Sequence, residues 1–449
     1  MNLKFDFWKN KANKFVKRNN LKYKLPYIIS KSTAIKSSLS LIDQSVFSVT
    51  NFVRNIIVAR ILSKESYGLF ILLFSVLMLL TDVQSTLIST PYTIYSPRLN
   101  TEEISKYTGS SIIHQFFFSV FSVTLFIFAG FTIHFGLDQK MVSHIFWSIF
   151  FVIPLVLIRD HLRRICFAQL KITKALVIDT IVFFVQILGL LLLVQFHFVS
   201  IQHVFWIMGL SCLLSSSYWF LRSYSAFSIS FGRITKDFKK NWKIGKWAFA
   251  SGVLWSLKVN LYPWILAYVH GIESSGVWGA CIGAVAVANP LILGIQNIIL
   301  PKTAYVYAKN GPFVLRRFII KSSIIYTTVI TPFCFLIILF ADEILTILYG
   351  KKYAGNGIVV LFLAINLIIL VFEFTFSRGL FTFERADIDF KINIIPIIFL
   401  FFPGLWFIKV YGVTGAATTL VLGNLIAAVI RYFSISNYIN SLRNNIYVK

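Results

Sequence analysis

Asp43, Thr50 and Arg54 stand seven and eleven residues apart, so on a helix turning about 100° per residue they fall within about 20° of one line. That line carries a carboxylate, a hydroxyl and a guanidinium. A shift of 208 residues carries it onto Ser251, Lys258 and Tyr262, again with one basic residue on the face. A guanidinium offers a planar fork to two oxygens and an ammonium a compact point charge, so two such cations converging on one cavity suit a diphosphate. The plainer alternative is that Arg54 extends outward along the apolar surface and Lys258 meets a neighbouring carboxylate or carbonyl, locking the bundle. Glu373 shares a helical face with Asn366 and Ser377, a set that could bind a coupling cation. Arg159, Arg163, Arg164 and Arg378 lie at helix ends, where they could draw in an anionic lipid or simply anchor the helices.

These residues gain meaning from the elements that must hold them. With 57% hydrophobic residues, 13% charged ones and a mean hydropathy of +0.76, the chain has too little polar surface to cover a soluble globule. Runs of about twenty apolar residues span a hydrocarbon layer ~30 Å thick. Such runs fall at 39–61, 67–90, 110–134, 143–167, 174–196, 200–221, 246–269, 276–299, 318–340, 356–380, 391–410 and 413–438. Lipid offers no hydrogen-bond partner to the backbone, and the runs do not alternate as barrel strands would, so they are predicted to be helices. The expected fold is therefore all-α: a polytopic membrane protein of about twelve transmembrane helices. An ionisable group inside such a span costs about 2.5 to 3.5 kcal/mol on insertion scales, which directs Asp43, Arg54, Asp82, Asp179, Lys258 and Glu373 toward partners or a cavity.

The remaining charges orient the bundle. Of the 43 Lys and Arg residues, 35 fall in every second gap between the apolar runs, in the set that includes the amino terminus. The opposite gaps hold Lys64, Lys140, Lys351, Lys352 and Lys409. By the positive-inside rule both termini are expected in the cytoplasm of a bacterial cell, the chain crossing the inner membrane many times. The formal charge of +26 is explained by anionic headgroups at helix ends, and no nucleic-acid partner is expected. Residues 1–37 lack the apolar core of a cleaved leader, since Leu25 to Ser30 is short and contains Pro26. Cys166, Cys212, Cys281 and Cys334 are widely spaced in spans and read as packing residues. No hydrolase or nucleotide-binding motif occurs, and no cofactor or metal is expected. Asp387 and Asp389 form a D-x-D, which reads as a solvated charge cluster more readily than as a metal site.

A repeat divides the chain. Ala59 to Gly68 lies over Ala267 to Gly276 at the shift of 208, Pro91 to Tyr95 over Pro301 to Tyr305 at 210, and Arg164 to Phe167 over Arg378 to Phe381 at 214. Their common order predicts two six-helix lobes in parallel orientation, 38–221 and 246–438, with a basic tail at 1–37, a basic linker at 222–245 and a second tail at 439–449.

Four segments carry a family resemblance: Val58-Ala-Arg-Ile-Leu-Ser-Lys-Glu-Ser-Tyr-Gly-Leu-Phe70, Gly276-Val-Trp-Gly-Ala-Cys-Ile-Gly283 leading to Pro301, Leu348-Tyr-Gly-Lys-Lys-Tyr353, and Tyr411-Gly-Val-Thr-Gly-Ala-Ala417. Over about residues 38–438 the chain resembles the polysaccharide-transport branch of the multidrug/oligosaccharidyl-lipid/polysaccharide (MOP) exporter superfamily, the O-antigen and capsule repeat-unit flippases. The resemblance implies two lobes around a central cavity and alternating access. It also implies the substrate, a polyprenyl-diphosphate-linked oligosaccharide, and with it contact with membrane lipids, other polysaccharide-assembly proteins as partners, and a monomeric transporter in place of an enzyme. Two rivals stay open. A multidrug or cation antiporter of the same superfamily would favour acidic cavity residues, and a membrane-embedded glycosyl transferase or polymerase would carry larger outer loops.

The charge asymmetry yields a direct test of orientation. Single cysteines at Ser63 and Gly355 should react with an impermeant maleimide applied from outside, and cysteines at Ser230 and Asn310 only after permeabilisation. External labelling at Ser230 would reverse the topology.

Overall fold

The computed structural model describes residues 31–136, 149–223, 227–383 and 385–447, and among these there is no β-strand. In chain order the helices are α1 (Lys31–Ile61), α2 (Lys64–Gln84), α3 (Thr101–Gly136), α4 (Val152–Ala168), α5 (Ile172–Gln195), α6 (Ile201–Ser223) and α7 (Phe231–His270). They continue as α8 (Ile272–Val285), α9 (Asn289–Leu339), the short α10 (Ala341–Tyr349), α11 (Gly357–Thr382), α12 (Ala386–Phe399) and α13 (Leu405–Tyr447). Every apolar run read from the sequence falls on a helix, although 143–148 lie outside the described residues. Eight helical stretches among the described residues are long and apolar enough to cross a membrane, and one of them, 387–439, holds two of the runs. The runs on α1, α4 and α7 are not among those eight; α1 and α4 carry buried charges within their turns.

The breaks between helices follow the repeat. Ser63 ends the first passage: its side chain caps α2 by accepting from the Ser66 amide at 3.1 Å. At the matching place, 208 residues on, Gly271 (φ 86°) turns α7 into α8. Glu65 and Glu273, the matching acids, occupy the first turns of α2 and α8, where a carboxylate faces the positive end of the helix dipole. Gly311 (φ 77°) breaks α9 near the place that corresponds to Asn100, and Gly412 (φ 57°) breaks α13 where the first half has His197 (φ 57°).

Three expected boundaries move. The amino-terminal tail gives way to helix at Lys31, before residue 37, while residues 1–30 lie outside the described residues. Most of the expected 222–245 linker is the opening of α7, because Ile234, Phe238 and Trp242 recur at helical spacing opposite Arg233, Lys236 and Lys240. The second tail continues α13 to Tyr447.

The halves meet most closely between α2 and α8. A Cβ at Gly68 would collide with the Ile272 carbonyl, and one at Gly276 would lie 2.5 Å from the Lys64 carbonyl oxygen. These two contacts map onto each other under the 208 shift, so they are the same contact made from both sides of a pseudo-two-fold axis. Beside them runs a reciprocal cap. Arg60, at the end of α1, donates to the carbonyls of Ile347 and Leu348 at the end of α10, while Lys352 donates to the carbonyls of Arg60 and Leu62. Each helix end thus receives the cation that its unsatisfied carbonyls and negative dipole end favour. This end of the bundle is closed.

Gly68→Leu should wedge that contact open. With the four native cysteines removed and Ser275, fully buried, replaced by cysteine, thiol labelling from the Ser63 side should be slow in the parent and fast in the Gly68→Leu protein. Equal labelling of the two would show that the glycine contact does not hold this end shut.

Candidate functional site

Two buried polar clusters sit in the two halves. In the first, Asp43 on α1 accepts from Arg163 on α4 at 2.6 Å, and Arg163 also donates to Asp179 on α5 at 2.6 Å. Arg159, one turn back on α4, pairs with the other Asp179 oxygen. The Phe47 ring lies 4.7 Å from the Arg163 guanidinium and 5.6 Å from that of Arg159. Two cations and two carboxylates therefore balance inside apolar walls. Asp43, expected in a cavity, is spent here, and Arg159 and Arg163, expected at a mouth, are buried structural partners. Thr50 returns its hydroxyl to the Val46 carbonyl at 2.6 Å. Arg164 stays half-exposed beside Asp160 at 3.6 Å.

The second cluster centres on Arg431 of α13, fully buried, which pairs with Glu373 on α11 and, at 2.9 Å, with Asp389 on α12. Its third contact is the Asn393 amide oxygen at 3.0 Å. Sequence reading missed Arg431, counting it among the basic residues at a helix end. A signal existed: Asp179 and Asp389 coincide at the 210 shift that aligns the two prolines. The D-x-D reading is corrected too. Asp387 is exposed and hydrogen-bonded to Arg385 at 2.8 Å, whereas Asp389 is buried in the pair. No cluster of His, Cys, Asp and Glu fit for a metal exists among the described residues. Glu373, read as a cation ligand, points one oxygen at Arg431, and Asn366 accepts from Asn424 at 2.7 Å.

Among the described residues, two buried cations remain outside these pairs. Arg54 is 4% exposed, with Nε and Nη2 lacking hydrogen-bond partners among the described residues and its guanidinium 4.6 Å from the Phe74 ring. Lys258 is 3% exposed, its ammonium unbonded and 5.1 Å from the Trp255 ring. Lys258 lines a cavity of ≈ 170 Å³ bordered by α7, α8, α11, α13 and the start of α9, with Trp255, Tyr262, Trp278, Asn289, Asn366 and Asn424 among its walls. Tyr262 stacks on Trp278 with ring centroids 5.3 Å apart, forming a flat apolar wall opposite amide groups. The cavity thus gathers Lys258, Tyr262 and Asn366 of the expected set. Arg54 does not line it, and the side chain of Ser251 lies outside the described residues. Arg378 stacks 4.2 Å from the Phe374 ring and takes no part in the ion pairs of either cluster.

The two kinds of cation should behave differently when removed. Arg431→Met strands two buried carboxylates and should cost about 3 to 5 kcal/mol, read as loss of folded protein in a detergent melt. Restoring neutrality with Glu373→Gln and Asp389→Asn in the same chain should recover much of the melting temperature. A stable Arg431→Met protein would mean that the pair bears no structural charge.

Other proteins share this architecture. The structure superposes on an inward-facing multidrug-resistance MATE transporter of the MOP superfamily with a TM-score of 0.73, at 13% identity, covering 90% of this chain and 98% of that one. It also superposes on the lipid II flippase MurJ in an inward closed conformation (TM-score 0.69, 15% identity, 89% and 87% covered) and on a MOP transporter from Pyrococcus furiosus (0.65, 14%, 91% and 95%). In sequence, 229 residues are 20% identical to the capsular polysaccharide biosynthesis protein CapF of Staphylococcus aureus, a match covering 50% of this chain and 57% of CapF. With a family profile matching residues 36–307, the chain belongs to the polysaccharide biosynthesis protein family, carried on the fold of the MOP transporters.

Proposed function

We propose that the protein is a flippase that moves polyprenyl-diphosphate-linked oligosaccharide repeat units across a bacterial cytoplasmic membrane by alternating access. The observation that carries this reading is Lys258, a buried ammonium with no hydrogen-bonded partner among the described residues, in the lining of a largely aliphatic cavity that also presents three rings and three asparagine amides. A bare cation answers the diphosphate, aromatic faces answer the apolar face of a sugar ring, and amides answer its hydroxyls. Arg54 is the second candidate, reaching the substrate when the halves rearrange. The CapF match favours capsule among the surface polymers, and the inward termini follow from the charge asymmetry.

The antiporter alternative fits less well. A cationic drug or coupling ion needs a free carboxylate, and Asp43, Asp179, Glu373 and Asp389 are all engaged by arginines. Of the in-span carboxylates named above, this leaves only Asp82, partly buried and hydrogen-bonded to Ser256. A cation at Glu373 and Asn366 would have to displace Arg431 first. A transferase or polymerase would need a reactive constellation, and these clusters are spent on holding helices together.

At 4 Å and an effective dielectric near 20, one unit-charge pair is worth about 4 kcal/mol, so loss of even a third of it lowers transport roughly tenfold. Lys258→Ala should therefore abolish or sharply reduce surface polysaccharide, with lipid-linked repeat units accumulating, at normal protein abundance and melting temperature. Lys258→Arg should retain part of the activity and Arg54→Ala should be intermediate. Normal export by Lys258→Ala, or loss of the folded protein as its only effect, would defeat the substrate-binding role.

A further inference from the structure

A second cavity, ≈ 410 Å³, lies outside the Lys258 site, in a slot between α3, the π turn Ser85–Ser89 that follows α2, and the opening turns of α7. Rings line both walls: Phe117, Phe118 and Phe121 from α3, Phe238 and Trp242 from α7. Of the polar side chains beside them Thr235 is exposed, and His114 and Asn241 are engaged. His114 is hydrogen-bonded to the Ile234 carbonyl at 3.0 Å, and Asn241 accepts from the Tyr107 hydroxyl at 2.6 Å. An occupant of this slot is therefore hydrocarbon, since a sugar or phosphate would find few polar partners there. The slot also opens to the surroundings, because Phe117, Phe121, Phe238 and Trp242 stay 63%, 61%, 53% and 48% exposed.

Charge around the slot narrows the occupant to an anionic amphiphile. Thr235, Lys239 and Trp242 follow one another at four- and three-residue steps, so exposed Lys239 lies on the same stripe of α7 as the two lining residues on either side of it. Exposed Lys236 stands on the preceding turn, and the acid of this segment, Asp237, is buried against Arg233 at 3.7 Å. Cations at the edge of an apolar slot match a lipid whose head is negative.

The same helix decides which lipid. Lys258 lies sixteen residues beyond Trp242 and twenty beyond Phe238, which at 100° per residue puts it about 160° from each, on the opposite side of α7. The helix thus presents rings outward and an ammonium inward. A lipid whose chain stays in the bilayer while its head enters the bundle needs both faces; a bulk phospholipid needs only the first. We infer that the slot holds the isoprenoid chain of the lipid-linked substrate while its diphosphate engages Lys258, an assignment that rests on the function proposed above.

A polyprenyl diphosphate bearing a diazirine on its chain, added to the full-length protein in phosphatidylethanolamine nanodiscs, tests it by photocrosslinking and peptide mapping. Label should concentrate on the peptides containing Phe117 to Phe121 and Phe238 to Trp242. Excess unlabelled polyprenyl diphosphate should remove it and excess phosphatidylglycerol should not. Phe121→Ala with Trp242→Ala should lower labelling roughly tenfold, and the leucine pair, which keeps the slot apolar and guards against misfolding, should restore most of it. Lys258→Ala should lose export yet keep the label on the slot, so failure of the head-group role and failure of the slot are read separately. Label spread evenly over the lipid-facing helices, or equal competition by phosphatidylglycerol, would reduce the slot to an annular lipid contact and overturn the assignment. So would labelling that appears only after residues 1–30 are deleted, which would make the slot a seat for the chain's own amino-terminal segment.

Discussion

A charge removed from water into hydrocarbon costs several kcal/mol unless a partner answers it, and the interior of this protein is arranged around that cost. Arg163 bridges Asp43 and Asp179, so three helices, α1, α4 and α5, are tied at one buried point. Arg431 bridges Glu373 and Asp389 and ties α11, α12 and α13 in the same manner. Each arginine is suited to this by its planar fork, which serves two carboxylates at once where a lysine would serve neither well. Against these paired arginines, the unbonded Lys258 ammonium and the Arg54 guanidinium stand apart.

The clusters also explain how two halves with little surviving sequence identity keep one geometry. Asp179 and Asp389 occupy equivalent places, but the first takes its arginines from α4 and the second from α13. The acid stands in both halves while its partner comes from a different helix in each, because any guanidinium that reaches the site satisfies it. Backbone contacts allow no such freedom. Gly68 and Gly276 each meet a carbonyl of the opposing helix, where a Cβ cannot fit, and so the same residue type stands at both positions.

This difference accounts for what the sequence disclosed. The apolar runs, the all-helical class and the repeat were legible because helix length and glycine contacts are written in local residue types. Breaks were legible to within several residues, except that the basic linker read as a loop and is mostly helix, since Phe238 and Trp242 give its lysines an apolar side to fold against. The site was half legible. A polar line through Asp43, Thr50 and Arg54 can be drawn from spacing alone, yet whether Asp43 faces a cavity or Arg163 depends on how α4 packs, which periodicity along α1 cannot say. Arg431 escaped notice for a related reason: a charge near the end of an apolar run looks like an anchor until the neighbouring helices are seen to bury it.

Movement between the halves has to overcome the closed end. Inverting a two-state preference from 99:1 takes about 5.5 kcal/mol of differential binding. The reciprocal caps of Arg60 and Lys352 supply only part of the opposing energy, since a cation at a helix terminus contributes about 0.3 to 1 kcal/mol when exposed. The greater resistance lies in the backbone contact of α2 with α8 and in Trp264 of α7, whose indole donates to Ser75 of α2 at 2.8 Å across the same interface. Under the function proposed above, a single diphosphate contact to Lys258, at about 4 kcal/mol for unit charges 4 Å apart, would be of the same order as the required bias. On that proposal, binding the head group better in one arrangement than in the other would move the equilibrium most of the way while the cluster around Arg431 stays paired.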